Sequence, residues 1–257
     1  MGQFYLSGEK GLDKDREKAK KWFLSAAKQA HKEATYELAN IFKDENNIIS
    51  AVRWYSKAAL ATHPESQYQL GILYQSGTGI KADHPEAAKW LLLAAKQGQI
   101  EAGELIIKMY SHGLLESIEY SNSDGWLEKI AEKGNKDAQY LIANYYISSD
   151  IPEKNENKAT TWYRRAAKQG HLNAQYKLAV MYQEGRGVRK NNTWAARWYR
   201  KAADQGHMQA QYMLGIMYTK GLGLPKKQAM AKKWYKAAAD QGHMEAKLKF
   251  NKCSPCR

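Results

Sequence analysis

The chain has 257 residues, 44% of them hydrophobic, and a formal net charge of +14 from 40 Lys plus Arg against 26 Asp plus Glu. Its longest apolar runs, such as Trp90 to Ala95, fall far short of a membrane span, and its two cysteines both lie in the last five residues, which excludes a disulfide framework through the body of the fold. The basic excess predicts acidic partners or surfaces without identifying them.

Seven tryptophans set a register along the chain: Trp22, Trp54, Trp90, Trp126, Trp162, Trp198 and Trp234, with a first step of 32 residues and every later step of 36. A fixed period of this size marks a solenoid. Gly2, Tyr5 and Gly8 fall in the slots that Gly71, Tyr74 and Gly77 hold in a complete copy, so the sequence is expected to begin part-way through a helix, with more sequence upstream. No signal peptide is visible in the chain as given; one upstream would direct the protein to the periplasm or outside the cell. The second copy replaces its turn glycines by the shorter Asp44-Glu45-Asn46-Asn47, which accounts for the step of 32. The connections at 117–124 and 148–157 also lack the glycines. Together with Ile118, Glu119 and Tyr120 they are expected to project from one edge, either as specificity loops or as tolerated drift.

The most regular copies, 174–206 and 210–242, each predict two helices. In the first, Ala174, Leu178 and Tyr182 share one face at helical spacing. In the second, Ala195, Trp198, Ala202 and Ala203 form an apolar stripe between the charged residues Arg197, Arg200 and Lys201. Gly98, Gly134, Gly170, Gly206 and Gly242 follow the second helices, where a residue past the C-cap adopts positive φ most easily as glycine. A Gly-x-Gly turn joins the helices of a pair at Gly77/Gly79, Gly185/Gly187 and Gly221/Gly223. The Tyr two residues after the repeat Ala is rotated from it by about 200° at 3.6 residues per turn. Tyr36, Tyr68, Tyr140, Tyr176 and Tyr212 therefore form a row off the core stripe, interrupted by Glu104. Such rings can serve a partner, pack on the next repeat, or do both.

Chemistry is sparse. Cys253 and Cys256 have redox-motif spacing but follow the last helix, away from any strand-to-helix turn, so a local disulfide or idle thiols fit better than catalysis. Zinc would need two further ligands. His171, His207 and His243 recur at the repeat period directly after a glycine, which points to a structural role in the turn. No paired carboxylates, nucleophile elbow or phosphate loop is present, so no catalytic residue, metal ligand or cofactor is assigned. The basic residues fall chiefly on second helices, at Lys18 to Lys21, Arg164-Arg165, Arg197 to Lys201 and Lys226 to Lys236. These are solvated positions, and nucleic acid is not the expected partner.

The pattern Ala-x-Tyr-x-Leu-Gly-x-x-Tyr-x-x-Gly-x-Gly followed by Ala-x-x-Trp-Tyr-x-x-Ala-Ala-x-Gln-Gly resembles the Sel1-like repeat, a longer-looped relative of the tetratricopeptide repeat. It extends from Gly2 to about Phe250. Residues Tyr212, Leu214, Gly215, Tyr218, Gly221, Gly223, Trp234, Tyr235, Ala238, Ala239, Gln241 and Gly242 carry it most completely. The resemblance implies an all-α, right-handed α/α superhelical solenoid, a single array over 1–250 with about six full helix pairs and partial ends, followed by a short tail at 251–257. It also implies a non-enzymatic, monomeric scaffold that holds a protein or peptide, often in bacterial settings. By likeness to tetratricopeptide grooves, the tyrosine row would be joined on the inner face by Glu37, Asn40, Gln69, Ile72, Leu141, Asn144, Lys177, Val180, Met213 and Ile216. Two alternatives remain: an envelope protein recognising peptidoglycan or a related glycan with weak β-lactam hydrolysis, and a nucleic-acid or anionic-surface binder. The relatives linked to β-lactams carry a disulfide in each repeat, and this chain lacks those cysteines.

Overall fold

The computed structural model describes residues 1–11, 13–117, 125–148 and 155–252. They form fifteen α-helices: α1 (Gly2–Ser7), α2 (Arg16–Lys28), α3 (Lys32–Asp44), α4 (Ile48–Leu60), α5 (Pro64–Ser76), α6 (His84–Lys96), α7 (Ile100–Ser111), α8 (Trp126–Glu132), α9 (Lys136–Ile147), α10 (Glu156–Lys168), α11 (Leu172–Glu184), α12 (Asn192–Asp204), α13 (Met208–Lys220), α14 (Gln228–Asp240) and α15 (Met244–Lys252). The chain is all-α, as expected. The connections at 118–124 and 149–154 and the residues Cys253 and Cys256 lie outside the described residues.

The chain divides into two compact units, Met1–Trp126 and Leu127–Arg257. In the first, each helix from α1 to α7 packs on its neighbours in the chain; in the second, the same holds from α9 to α15. This is the consecutive helix-pair packing of a repeat array, in which each repeat buries its apolar face against the next.

The helix ends explain why the period is so regular. In five of the second helices the residue seven before the tryptophan is the N-cap, and Asp15, Asn47, Asp83, Asn155 and Asn191 there accept a hydrogen bond from the backbone N–H three residues on. The backbone N–H of that cap residue also reaches back to the first helix. Asp83 N–H donates to the Tyr74 carbonyl (2.8 Å), Asn155 to Tyr146 (2.8 Å) and Asn191 to Tyr182 (2.8 Å). Asn47 donates to the Phe42 carbonyl at 2.9 Å, in the same slot, although its connection is the shortened one. The bond closes these pairs whatever the loop length, which is how the array accommodates uneven loops.

The residue buried most consistently is the Tyr after the register Trp. Tyr55, Tyr163, Tyr199 and Tyr235 are 0–2% exposed, whereas the tryptophans range from 3% at Trp126 to 49% at Trp22. The expected stripe of Ala195, Trp198, Ala202 and Ala203 is buried throughout, with Trp198 at 7%, and Tyr199 beside it is buried more fully, at 1%. A rotation of about 100° per residue turns the Tyr into the packed interface and the Trp toward its edge. There a cation three residues on covers the indole: Lys57 over Trp54, Arg165 over Trp162 and Lys201 over Trp198, 4.3–4.8 Å from the ring centre. In the first helices Ala174 and Leu178 are fully buried, while Tyr182 is only half-buried.

A buried polar ladder ties successive elements together. Gln67, Gln139, Gln175 and Gln211 are 2–6% exposed. Each donates to the carbonyl of the alanine five residues after the register Trp in the preceding second helix, Ala59, Ala131, Ala167 and Ala203, at 2.9–3.2 Å. Each also accepts from the Gln that ends the following second helix, Gln97, Gln169, Gln205 and Gln241, at 2.7–2.9 Å. Both ends of the buried amide are therefore paired, as burial requires.

The second glycine of the Gly-x-Gly turn has a steric role besides its backbone conformation. Gly187 has φ +63°, and a Cβ there would overlap the Glu156 carbonyl group and lie 2.6 Å from Thr160 Oγ1. The turn between α11 and α12 thus lies directly on the first turn of α10. Where the stop glycine is missing, Ala30 and Thr62 hold the same left-handed conformation, at φ +61° in both.

Candidate functional site

The tyrosine row is built from the first helices, and each ring is clamped. In the second unit, Tyr140 on α9, Tyr176 on α11 and Tyr212 on α13 lie 5.9, 5.8 and 6.0 Å from the rings of Tyr163, Tyr199 and Tyr235. On the other side they stack on His171, His207 and His243 of the next repeat at 4.4, 4.4 and 4.3 Å. In the first unit Tyr36 is held in the same way by Tyr55 (5.9 Å) and His63 (4.7 Å). Tyr68 has Leu91 and Gln99 in those two slots, so its ring lacks the aromatic clamp. All five tyrosines are half-buried: they pack on the next repeat and still present an edge.

The histidines that hold these rings are helix caps. His31, His63, His171, His207 and His243 precede α3, α5, α11, α13 and α15, and each Nδ1 accepts from the backbone N–H three residues on, at 3.1–3.3 Å. The periodic histidines thus have the turn role their spacing implied, with the added job of stacking on the tyrosine row. Burial pushes the pKa of His63, His171 and His207 below the usual histidine value, so the neutral ring that can accept this bond is favoured. Burial likewise raises the hydroxyls of Tyr36, Tyr68, Tyr176 and Tyr212, which stay protonated.

The neighbours assigned to the row separate into two kinds. Asn40 and Asn144 are occupied by the fold: the Tyr55 hydroxyl donates to Asn40 Oδ1 at 2.5 Å and the Tyr163 hydroxyl to Asn144 Oδ1 at 2.6 Å. Glu37 accepts from Asn40 at 3.4 Å, and Gln69 bonds Lys43 and Glu65. Val180 and Ile216 fill the asparagine slot in the later repeats, where the buried tyrosine hydroxyls turn instead to Gln183 (2.7 Å) and Thr219 (3.1 Å). Val180 and Ile216, with Lys177 and Met213, are half-buried side chains on α11 and α13. Ile72 on α5 and Leu141 on α9 are half-buried as well.

The row offers ring edges, hydroxyls, amides and aliphatic contact, a surface suited to holding another molecule. Among the described residues, no group of three or more His, Cys, Asp or Glu side chains is arranged to hold a metal ion, and no helix is long and apolar enough to cross a membrane. Sequence reasoning missed the glutamine ladder and the stacking of the turn histidines on the tyrosine row. The ladder was readable in principle, since Gln67, Gln139, Gln175 and Gln211 each precede the row tyrosine and stand 30 residues before a second Gln.

Comparison with known proteins agrees with the repeat pattern. The family model described as Sel1 repeat matches residues 1–31, 33–63, 64–99, 136–171, 172–207 and 209–243. A Sel1 repeat protein from Oxalobacter formigenes is 32% identical, with a TM-score of 0.60, over 88% of this chain and 66% of that one. A protective antigen of uropathogenic Escherichia coli with an SLR fold is 26% identical, with a TM-score of 0.46, over 98% of this chain and 63% of its own. The chain spans about two thirds of the length of these two structures. No curated protein matches it.

Proposed function

The chain belongs to the Sel1 repeat family, whose members are generally non-enzymatic protein-protein interaction scaffolds, and from that premise we propose that it holds a protein or peptide against the first-helix face of its second unit. The observation that carries this reading is the clamped row of Tyr140, Tyr176 and Tyr212. Each ring is fixed on both sides before any partner arrives, so little side-chain entropy is lost on binding. Between the rings, Val180, Met213 and Ile216 supply apolar contact and Lys177 a charge. An extended peptide laid across α9, α11 and α13 would meet aromatic edges at each repeat.

The test is affinity capture at moderate salt with the wild-type chain and with a Val180→Asn/Ile216→Asn variant. Asparagine already occupies this slot at Asn40 and Asn144, so the change suits the fold while removing apolar contact. Loss of a salt-resistant protein partner with retained helicity supports the first-helix site. Undiminished capture of that partner places its site elsewhere.

A further inference from the structure

A cleft of different chemistry lies away from the tyrosine row. In the second unit, α12, α13 and the connection after α13 enclose about 470 Å³, lined by Trp194, Arg197, Trp198, Arg200, Lys201 and Leu224 among others. Three lining residues are cationic and none is acidic. No carboxylate pairs with these three cations among the described residues.

The donors here outnumber the acceptors. Arg200 lies over the rings of Tyr218 and Trp234, at 5.6 and 5.1 Å, and donates one bond to the Tyr218 hydroxyl. Its Nε is buried with no hydrogen-bond partner, and so is Trp234 Nε1 beside it. Buried donors left in this way are rare in folded proteins, and the fold leaves part of the donor capacity of Arg200 unused. The first unit holds the equivalent cleft three repeats earlier, about 450 Å³, where Lys89, Leu92 and Ile106 take the slots of Arg197, Arg200 and Leu214. The repeat architecture makes the cleft, and the later one is the more cationic because Arg200 and Lys201 stand in the slots of Leu92 and Leu93.

We propose that this cleft is a second partner site, which accepts an acidic peptide segment whose carboxylates pair with Arg197, Arg200 and Lys201 while an adjacent apolar side chain packs against Leu224. A guanidinium fork suits a carboxylate, and charge-assisted bonds are the stronger kind in a partly apolar setting. Single-stranded nucleic acid fits less well, because it needs free ring faces on which bases stack. Arg197 already covers Trp194 and Lys201 covers Trp198, both at 4.8 Å.

The experiment is fluorescence anisotropy with a labelled peptide of about ten residues that alternates Glu and Leu, against the same peptide with Gln for Glu and against a labelled oligothymidylate of similar length. The expected result is binding of the Glu peptide about tenfold tighter than the Gln peptide, a difference of about 1.4 kcal/mol. Arg197→Gln/Lys201→Gln should remove that preference; both side chains are exposed, so the fold is retained and circular dichroism checks it. Val180→Asn/Ile216→Asn should leave it intact. Equal affinity for the two peptides overturns the proposal, as does a preference lost only in the Val180/Ile216 variant. Tighter binding of the oligothymidylate through Arg197 and Lys201 overturns it in favour of nucleic acid.

Discussion

Replacing Gly187 by alanine, with Gly170→Ala as its partner experiment, separates two reasons for a glycine. Both residues have positive φ, +63° and +83°. At Gly170 a Cβ would meet nothing within 4 Å, so alanine suffers only from the backbone conformation. That costs about 1–2 kcal/mol for an L-residue, reduced by about 0.5–1 kcal/mol because alanine has less freedom to lose on folding. A net loss of about 1 kcal/mol is expected. At Gly187 the same cost applies, and the Cβ also overlaps the Glu156 carbonyl, which is backbone and cannot swing aside. The turn must lift from α10, weakening the Arg186–Glu156 ion pair (2.8 Å) and the contact of Thr160 Oγ1 with the Arg186 carbonyl (3.4 Å). Overpacking of this kind adds about 1–3 kcal/mol, so Gly187→Ala should cost about 2–4 kcal/mol in all. Urea unfolding followed by far-UV circular dichroism measures both variants. Equal losses would refute the steric argument and leave only the backbone one.

Thr62→Gly should stabilise the protein by about 0.5–1 kcal/mol, because a β-branched residue at φ +61° is strained where most copies use glycine; an unchanged or lower Tm would count against it. Gln175→Leu removes two hydrogen bonds, but the Ala167 carbonyl keeps the Gly170 N–H (3.1 Å) and Gln205 can turn to water, so a loss of about 1–2 kcal/mol is expected. Adding Gln205→Ala should then cost almost nothing more, and a double-mutant cycle with additive losses would deny the coupling. The folded-state pKa values of His63, His171 and His207 are depressed, so as pH falls through the unfolded value the unfolded chain binds more protons than the folded one. Stability is full above the unfolded value of about 6.5, falls as pH drops toward the folded values, and levels off below them. His207→Asn, which keeps a cap of the kind Asn135 provides, should shallow this fall in Tm; an unaltered slope would mean that His207 does not contribute.

Much of this protein is legible in its sequence because a repeat array is governed by local rules. Helix ends are set within a few residues by caps and left-handed glycines, and the apolar stripes at helical spacing reappear every 36 residues. The tryptophan register, the stop glycines and the first-helix Ala and Leu therefore lie where spacing puts them, and the family follows from the same pattern. Spacing alone could not say which of two adjacent aromatics is buried more deeply. Trp198 and Tyr199 differ by one step of helical rotation, and only packing against the neighbouring helices decides that Tyr199, at 1% exposed, is buried more fully than Trp198, at 7%. Nor could it show that Gln175 and Gln205, 30 residues apart, meet at 2.7 Å, or that His207 caps the first helix of one repeat while stacking on a tyrosine of the repeat before. Each depends on contact between elements separated in the chain, and so does the cationic cleft, whose Arg197, Arg200 and Lys201 look in sequence like any solvated helix face. The order of residues fixes the period and the ends of helices because those are short-range; which side chains share a surface is decided only when neighbouring repeats close on one another.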